Sequence, residues 1–128
     1  MANKKELSTY SFNERSLIEC DLTYAIKTID GRWKLQILDK LEERAFRFSE
    51  FKKAFPLMTE RMLTLQLRSL EVDGLIKRTV YAEVPVRVVY ELTGEARELT
   101  PILKNLSEWG SKHRESLNSS KSLFKINR

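Results

Sequence analysis

The side chains best suited to chemistry are cations set at helical spacing. Arg61, Thr64, Leu65 and Arg68 fall on one side of a helix, opposite Leu63, Leu67 and Leu70, which lie within about 60° of each other at roughly 100° per residue. Thr59 stands where an N-cap belongs, ahead of that helix. A helix with Arg and Thr along one side, close to a phosphate-seeking N-terminus, suits the major groove of duplex DNA. There Arg61, Thr64, Leu65 and Arg68 would face base edges, Leu65 through a thymine methyl. The alternative is an ordinary solvated face, because exposed Arg and Thr are common on surface helices. Lys77, Arg78 and Arg87 add positive charge suited to a phosphate backbone, and Glu83 opposes it.

These residues need elements to hold them. Phe48, Phe51 and Phe55 recur at three and four residues, which predicts a short helix opened by Ser49 and Glu50 and ended by Pro56. The helix after Thr59 should run to about Asp73, with Gly74 as its C-cap. LIKRTVY and VRVVYEL, flanking Ala82 to Pro85, are dense in β-branched and aromatic residues and predict a hairpin. Upstream, Asp21 is read as an N-cap, Leu22, Ala25, Ile26 and Ile29 as an apolar stripe, and Gly31 as the helix stop. Trp33, Ile37, Leu38 and Leu41 form the next stripe, with Trp33 as a core anchor. A last long helix opens at Thr93 or Gly94 and carries Ala96, Leu99, Ile102, Leu103, Leu106 and Trp109. Pro101 inside it predicts a kink or a restart near Thr100.

Helix, turn, helix and basic hairpin in this order resemble the HxlR family of winged helix-turn-helix transcription regulators, within the MarR-like superfamily. The resemblance rests on Cys20, GRWKLQIL (31–38), RFSEF (47–51), LTLQLRSLEVDGLIKR (63–78), EVPVRVVYELT (83–93) and Trp109 with Gly110. It departs from the family where Leu57, Met58 and Thr59 replace the common Gly-Ile-Ser. It departs again at Leu65 on the groove face, at Val86 and Val89 in the wing, and at Ala96. The resemblance implies a mainly α fold with a small β-hairpin, an α+β winged helix-turn-helix dimerised by terminal helices. In part of the family the cysteine ahead of the first core helix senses oxidants or electrophiles, and Cys20 is the matching position.

The 128 residues fit one domain. Within it residues 1–15 are either a frayed arm or a helix docking on a partner subunit, 46–92 the helix-turn-helix plus wing, 93–114 a dimerisation helix, and 115–128 a polar tail with no role assigned. The net charge of +5 indicates attraction to polyanions. The absence of a run of about 18 apolar residues or of a secretory core predicts a cytoplasmic protein with no membrane partner. One cysteine excludes an intrachain disulfide and, with one histidine, leaves no zinc constellation. No phosphate loop or nucleophile elbow appears, so neither catalysis nor a cofactor is expected. A helix start favours the Cys20 thiolate, whereas Glu19 and Asp21 oppose it, and burial at a subunit contact is the other reading. The surplus apolar stripe of the last helix, Leu99, Leu103, Leu106 and Trp109, is assigned to a homodimer interface. The expected function is sequence-specific binding of double-stranded DNA by a homodimer at a palindromic operator. DNA-binding residues would be Thr59, Arg61, Thr64, Leu65, Arg68, Lys77, Arg78 and Arg87. The competing reading is a winged-helix protein-interaction module.

Overall fold

The computed structural model describes the backbone of residues 20–126 and the side chains of residues 20–121. The expected arm at 1–15 lies outside those residues. Two compact units divide the chain between Ile37 and Leu38.

In the first unit, helix α1 spans Asp21–Ile29 and helix α2, Arg32–Glu43, begins. Cys20 rather than Asp21 is the N-cap of α1, with extended backbone at φ −79° and ψ 111°, and its carbonyl accepts from the Tyr24 amide at 2.9 Å. Gly31, at φ +120°, makes the turn between the helices in a region that L side chains rarely adopt. Ile29 and Ile37 are buried. The rest of the α1 stripe is not core: Leu22 is 71% exposed, and Ala25 and Ile26 are exposed as well. Helical periodicity marks an apolar face but not what covers it. Trp33 is likewise half-buried rather than a deep anchor, with the Arg32 guanidinium 5.0 Å from its ring centroid.

The second unit is built on the end of α2, whose Leu38 and Leu41 are buried. Strand β1 (Phe46–Arg47) leads straight into helix α3 (Phe48–Ala54), whose N-cap is Arg47. Glu50 reaches back to accept from the Arg47 amide at 3.0 Å, half of a capping box, and this amide together with Arg44 (Nη1 at 2.8 Å) holds the Glu50 carboxyl below the usual range. Phe51 is fully buried and stacks between Phe46 and Phe55, at 5.0 and 6.5 Å between centroids, with Tyr90 edge-on at 6.1 Å.

Helix α4 (Glu60–Val72) follows the Pro56 turn, and strands β2 (Ile76–Tyr81) and β3 (Arg87–Leu92) form the hairpin. At the end of α4 the Leu75 amide donates to the Leu70 carbonyl (2.9 Å) and the Gly74 amide to that of Glu71 (3.0 Å). This is a Schellman motif, closed by Gly74 at φ +74° and by the buried pair Leu70 and Leu75. The sheet order is β1-β3-β2, with Phe46 opposite Tyr90 and Ile76 opposite Leu92. The two-residue β1 is a third strand that the reading of a lone hairpin did not include.

Helix α5 spans Gly94–Ile126, about 50 Å at 1.5 Å per residue. Thr93 caps it: its hydroxyl accepts from the Ala96 amide (3.3 Å) and donates to the Gly74 carbonyl (2.6 Å), fastening the start of α5 to the end of α4. Two expectations are corrected here. Of the kink or restart expected at Pro101, the restart is absent: one helix runs through Thr100, and the Arg97 carbonyl, which Pro101 cannot satisfy, accepts from the Thr100 hydroxyl at 2.9 Å. Nor does it end near 114: no Gly or Pro falls between Ser111 and Ile126, and the polar segment continues as helix. No described helix is long and apolar enough to cross a membrane.

Candidate nucleic-acid interface

The face of α4 is set by its cap and its buried stripe. Thr59 accepts from the Met62 amide at 3.1 Å, and Leu63, Leu67 and Leu70 are buried, which fixes the rotation of the helix. Arg61, Thr64, Leu65 and Arg68 are thereby all exposed on the other side. Lys52 of α3 pairs with Glu60 in the first turn of α4, lowering the Glu60 pKa and joining the two helices on their exposed side. That pair lay outside the sequence reading; opposite charges eight residues apart, on either side of a proline turn, were the available signal. Among the described residues Arg61, Arg68, Lys77 and Arg78 have no ion-pair partner. Their positive charge is therefore open to an external anion.

The wing is organised differently from a uniformly basic hairpin. Arg78 is opposite Tyr90, on the face that carries buried Ile76 and Leu92. Lys77 is opposite Glu91 and Arg87 opposite Tyr81, on the other face. Two-residue alternation thus separates cations that sequence proximity had grouped. Arg87 also carries a carboxylate of its own: its Nη2 lies 3.0 Å and its Nε 3.2 Å from the Glu83 oxygens, and its guanidinium stacks 4.0 Å from the Tyr81 ring centroid. The Glu83 hydrogen bonds raise the Arg87 pKa. The hairpin tip exposes Val84 and Val86, and the Val84–Pro85 peptide is cis.

Cys20 is exposed in the single chain. The Thr23 hydroxyl and amide beside its sulfur push the thiol pKa below the ordinary value, and the opposing charge of Asp21 is the weakest influence. Thr23, unremarked in the sequence reading, is the neighbour that matters; a hydroxyl in the first turn after a capping cysteine is the pattern to look for.

Along α5, Leu99 and Leu103 are half-buried, whereas Leu106 is exposed and Trp109 is 62% exposed. Ile102 is exposed too and belongs with the outward set. Trp109 stacks on His113 one turn later, at 4.9 Å between centroids.

Comparison with known proteins agrees with this geometry. The family model described as HxlR-like helix-turn-helix matches residues 28–118. The chain is 40% identical over 117 residues to the uncharacterized HTH-type transcriptional regulator YdeP of Bacillus subtilis (strain 168), covering 91% of this chain and 90% of that one. Among solved structures, the redox regulator HypR in its reduced form is similar at a TM-score of 0.73 and 41% identity, over 78% of this chain and 99% of HypR. The reduced form of the transcriptional regulator YodB from B. subtilis is similar at 0.67 and 28%, over 73% of this chain and 92% of YodB. With its recognition-type helix, its wing and these relatives, the chain belongs to the HxlR-like helix-turn-helix family of transcriptional regulators.

Proposed function

We propose that the protein is a homodimeric regulator that binds a palindromic operator in double-stranded DNA and responds to oxidants or electrophiles through Cys20. The observation that carries the reading is the face of α4: exposed Arg61 and Arg68 without ion-pair partners among the described residues, on a capped helix whose other side is buried. Arg61, Thr64, Leu65 and Arg68 address base edges, with Thr59 holding the helix N-terminus toward the backbone. Lys77, Arg78 and Arg87 address phosphates, and Arg87 must first exchange Glu83 for one. Leu99, Ile102, Leu103, Leu106 and Trp109 join a second copy, which sets two reading helices about one DNA turn apart. An exposed thiol with a favoured thiolate, and similarity to a protein named as a redox regulator, support the oxidant response. Two chemistries suit one cysteine per chain. The thiolate can attack a small-molecule disulfide and release one small thiol; alternatively, two copies can lose two electrons and two protons to a peroxide and join as a disulfide.

The test is a fluorescence-anisotropy titration at fixed salt, against DNA from upstream of the protein's own gene and against scrambled DNA, before and after a thiol oxidant. Preference for the upstream DNA, reduced by oxidation in the wild type but not in Cys20→Ser, is expected. Equal losses on both DNAs for Arg61→Ala would remove the base-reading assignment. Equal binding of both DNAs would place the operator elsewhere or favour a protein-interaction role.

A further inference from the structure

We infer that the reading helix recognises the 5-methyl groups of thymines, held between two guanine contacts in each half-site. The inference rests on the reading of α4 as the base-contacting helix and specifies what that helix takes. Along its outward face, from Arg61 to Arg68, four exposed side chains are arranged as cation, apolar pair, cation, and exposed Val72 follows one turn later. Arg61 and Arg68 are seven residues apart, about 10 Å along the axis, which is about three base-pair steps at roughly 3.4 Å each. Each guanidinium fork matches guanine O6 and N7.

Between them the chemistry changes. Thr64 is polar by composition, but its hydroxyl donates to the Glu60 carbonyl at 2.8 Å, so its single donor is engaged within the helix. In this rotamer it donates to neither guanine nor thymine O4, and what it brings to the groove is a methyl group and an accepting oxygen. Leu65 beside it is 52% exposed and has no polar atom in its side chain. A lone exposed leucine on a protein surface needs no explanation. This one lies on the face with two guanidinium groups that have no ion-pair partner among the described residues, next to a threonine whose donor is engaged within the helix, so the centre of the face offers apolar contact, one accepting oxygen and no hydrogen-bond donor. Of the groups on the major-groove floor, the thymine methyl is the one that asks for that and nothing else.

The test separates this inference from the operator reading beneath it. The preferred sequence is first enriched from random duplex DNA with the reduced full-length protein. Each thymine in the half-site is then replaced by deoxyuridine, which removes the 5-methyl and leaves every hydrogen-bonding edge intact. Binding is measured for the wild type and for Leu65→Ala, which alters an exposed side chain and spares the buried face. One or two adjacent replacements should weaken the wild type about fourfold each, the amount expected for one buried carbon, and should weaken Leu65→Ala less, since only the Thr64 methyl keeps its full contact there. Deoxyuridine tolerated at every position, or equal sensitivity in Leu65→Ala, would overturn the inference while leaving operator binding in place. Failure of any sequence to enrich would overturn both.

Discussion

Arg87 and Glu83 form a two-point ion pair within the wing, at 3.0 and 3.2 Å, with the guanidinium lying against Tyr81. Both side chains are partly open to solvent, so a DNA phosphate can compete for the arginine. Glu83→Gln should therefore tighten binding to operator and random DNA alike. It should also steepen the dependence of log K on log salt by about one unit, the signature of one additional phosphate contact. Titrations at several salt concentrations read this directly. An unchanged slope with tighter binding would mean that Arg87 already exchanges Glu83 for a phosphate in the wild type; an unchanged slope and an unchanged affinity would mean that it reaches none, and that its role is to stiffen the hairpin.

The junction between reading helix and wing depends on Gly74. Its φ of +74° is costly for any residue with a Cβ, and an added Cβ would meet only Glu95 Oε2 at 3.8 Å, an ordinary contact. Backbone strain alone then sets the penalty, and Gly74→Ala should lose about 1 to 2 kcal/mol of stability in a urea titration. A loss several times larger would indicate that the Thr93 bond to the Gly74 carbonyl breaks as well, uncoupling α4 from α5.

Cys20 should keep its thiolate to lower pH than an ordinary cysteine, because the Thr23 hydroxyl and amide favour the charged form. The direction of the shift fixes the sign. The iodoacetamide reaction rate should rise with pH through a midpoint below that of a free thiol, and Thr23→Val should move the midpoint upward. Val keeps the branched shape and removes the hydroxyl. Superimposable profiles for wild type and Thr23→Val would assign the shift to the helix start alone.

Local rules made much of this structure legible. Thr59, Pro56 and Gly74 act through their own backbone chemistry, and the structure has them capping, ending and closing helices as expected. The stripe of Leu63, Leu67 and Leu70 is legible because helical periodicity and burial coincide on the core-facing side of the helix. Leu22 and Ile26 show where that logic stops: their spacing is equally regular, yet they are exposed, since a pattern cannot name its partner. Strand β1 was hidden because two residues cannot show alternation; pairing with Tyr90 and Val89 makes Phe46 and Arg47 a strand. At the candidate site, the type and exposure of Arg61 and Arg68 were readable. The ties of Arg87 to Glu83 and of Thr64 to Glu60 depend on rotamers, which residue types do not fix.

The homodimer is most sharply tested on α5. Leu106 and Trp109 are exposed, so a charge at Leu106 removes little packing within its own chain and should leave the monomer folded. In a dimer the same charge would be buried against the second copy, at a cost of several kcal/mol if unpaired. Leu106→Lys should therefore sediment as a monomer at concentrations where the wild type is a dimer, with its helical circular dichroism kept. Since a palindrome is read by two helices at once, operator affinity should fall far more than affinity for random DNA. A Leu106→Lys protein that stayed dimeric would move the interface off this stripe. A monomer that kept full operator affinity would instead show that one reading head suffices, and the palindromic operator would have to be abandoned.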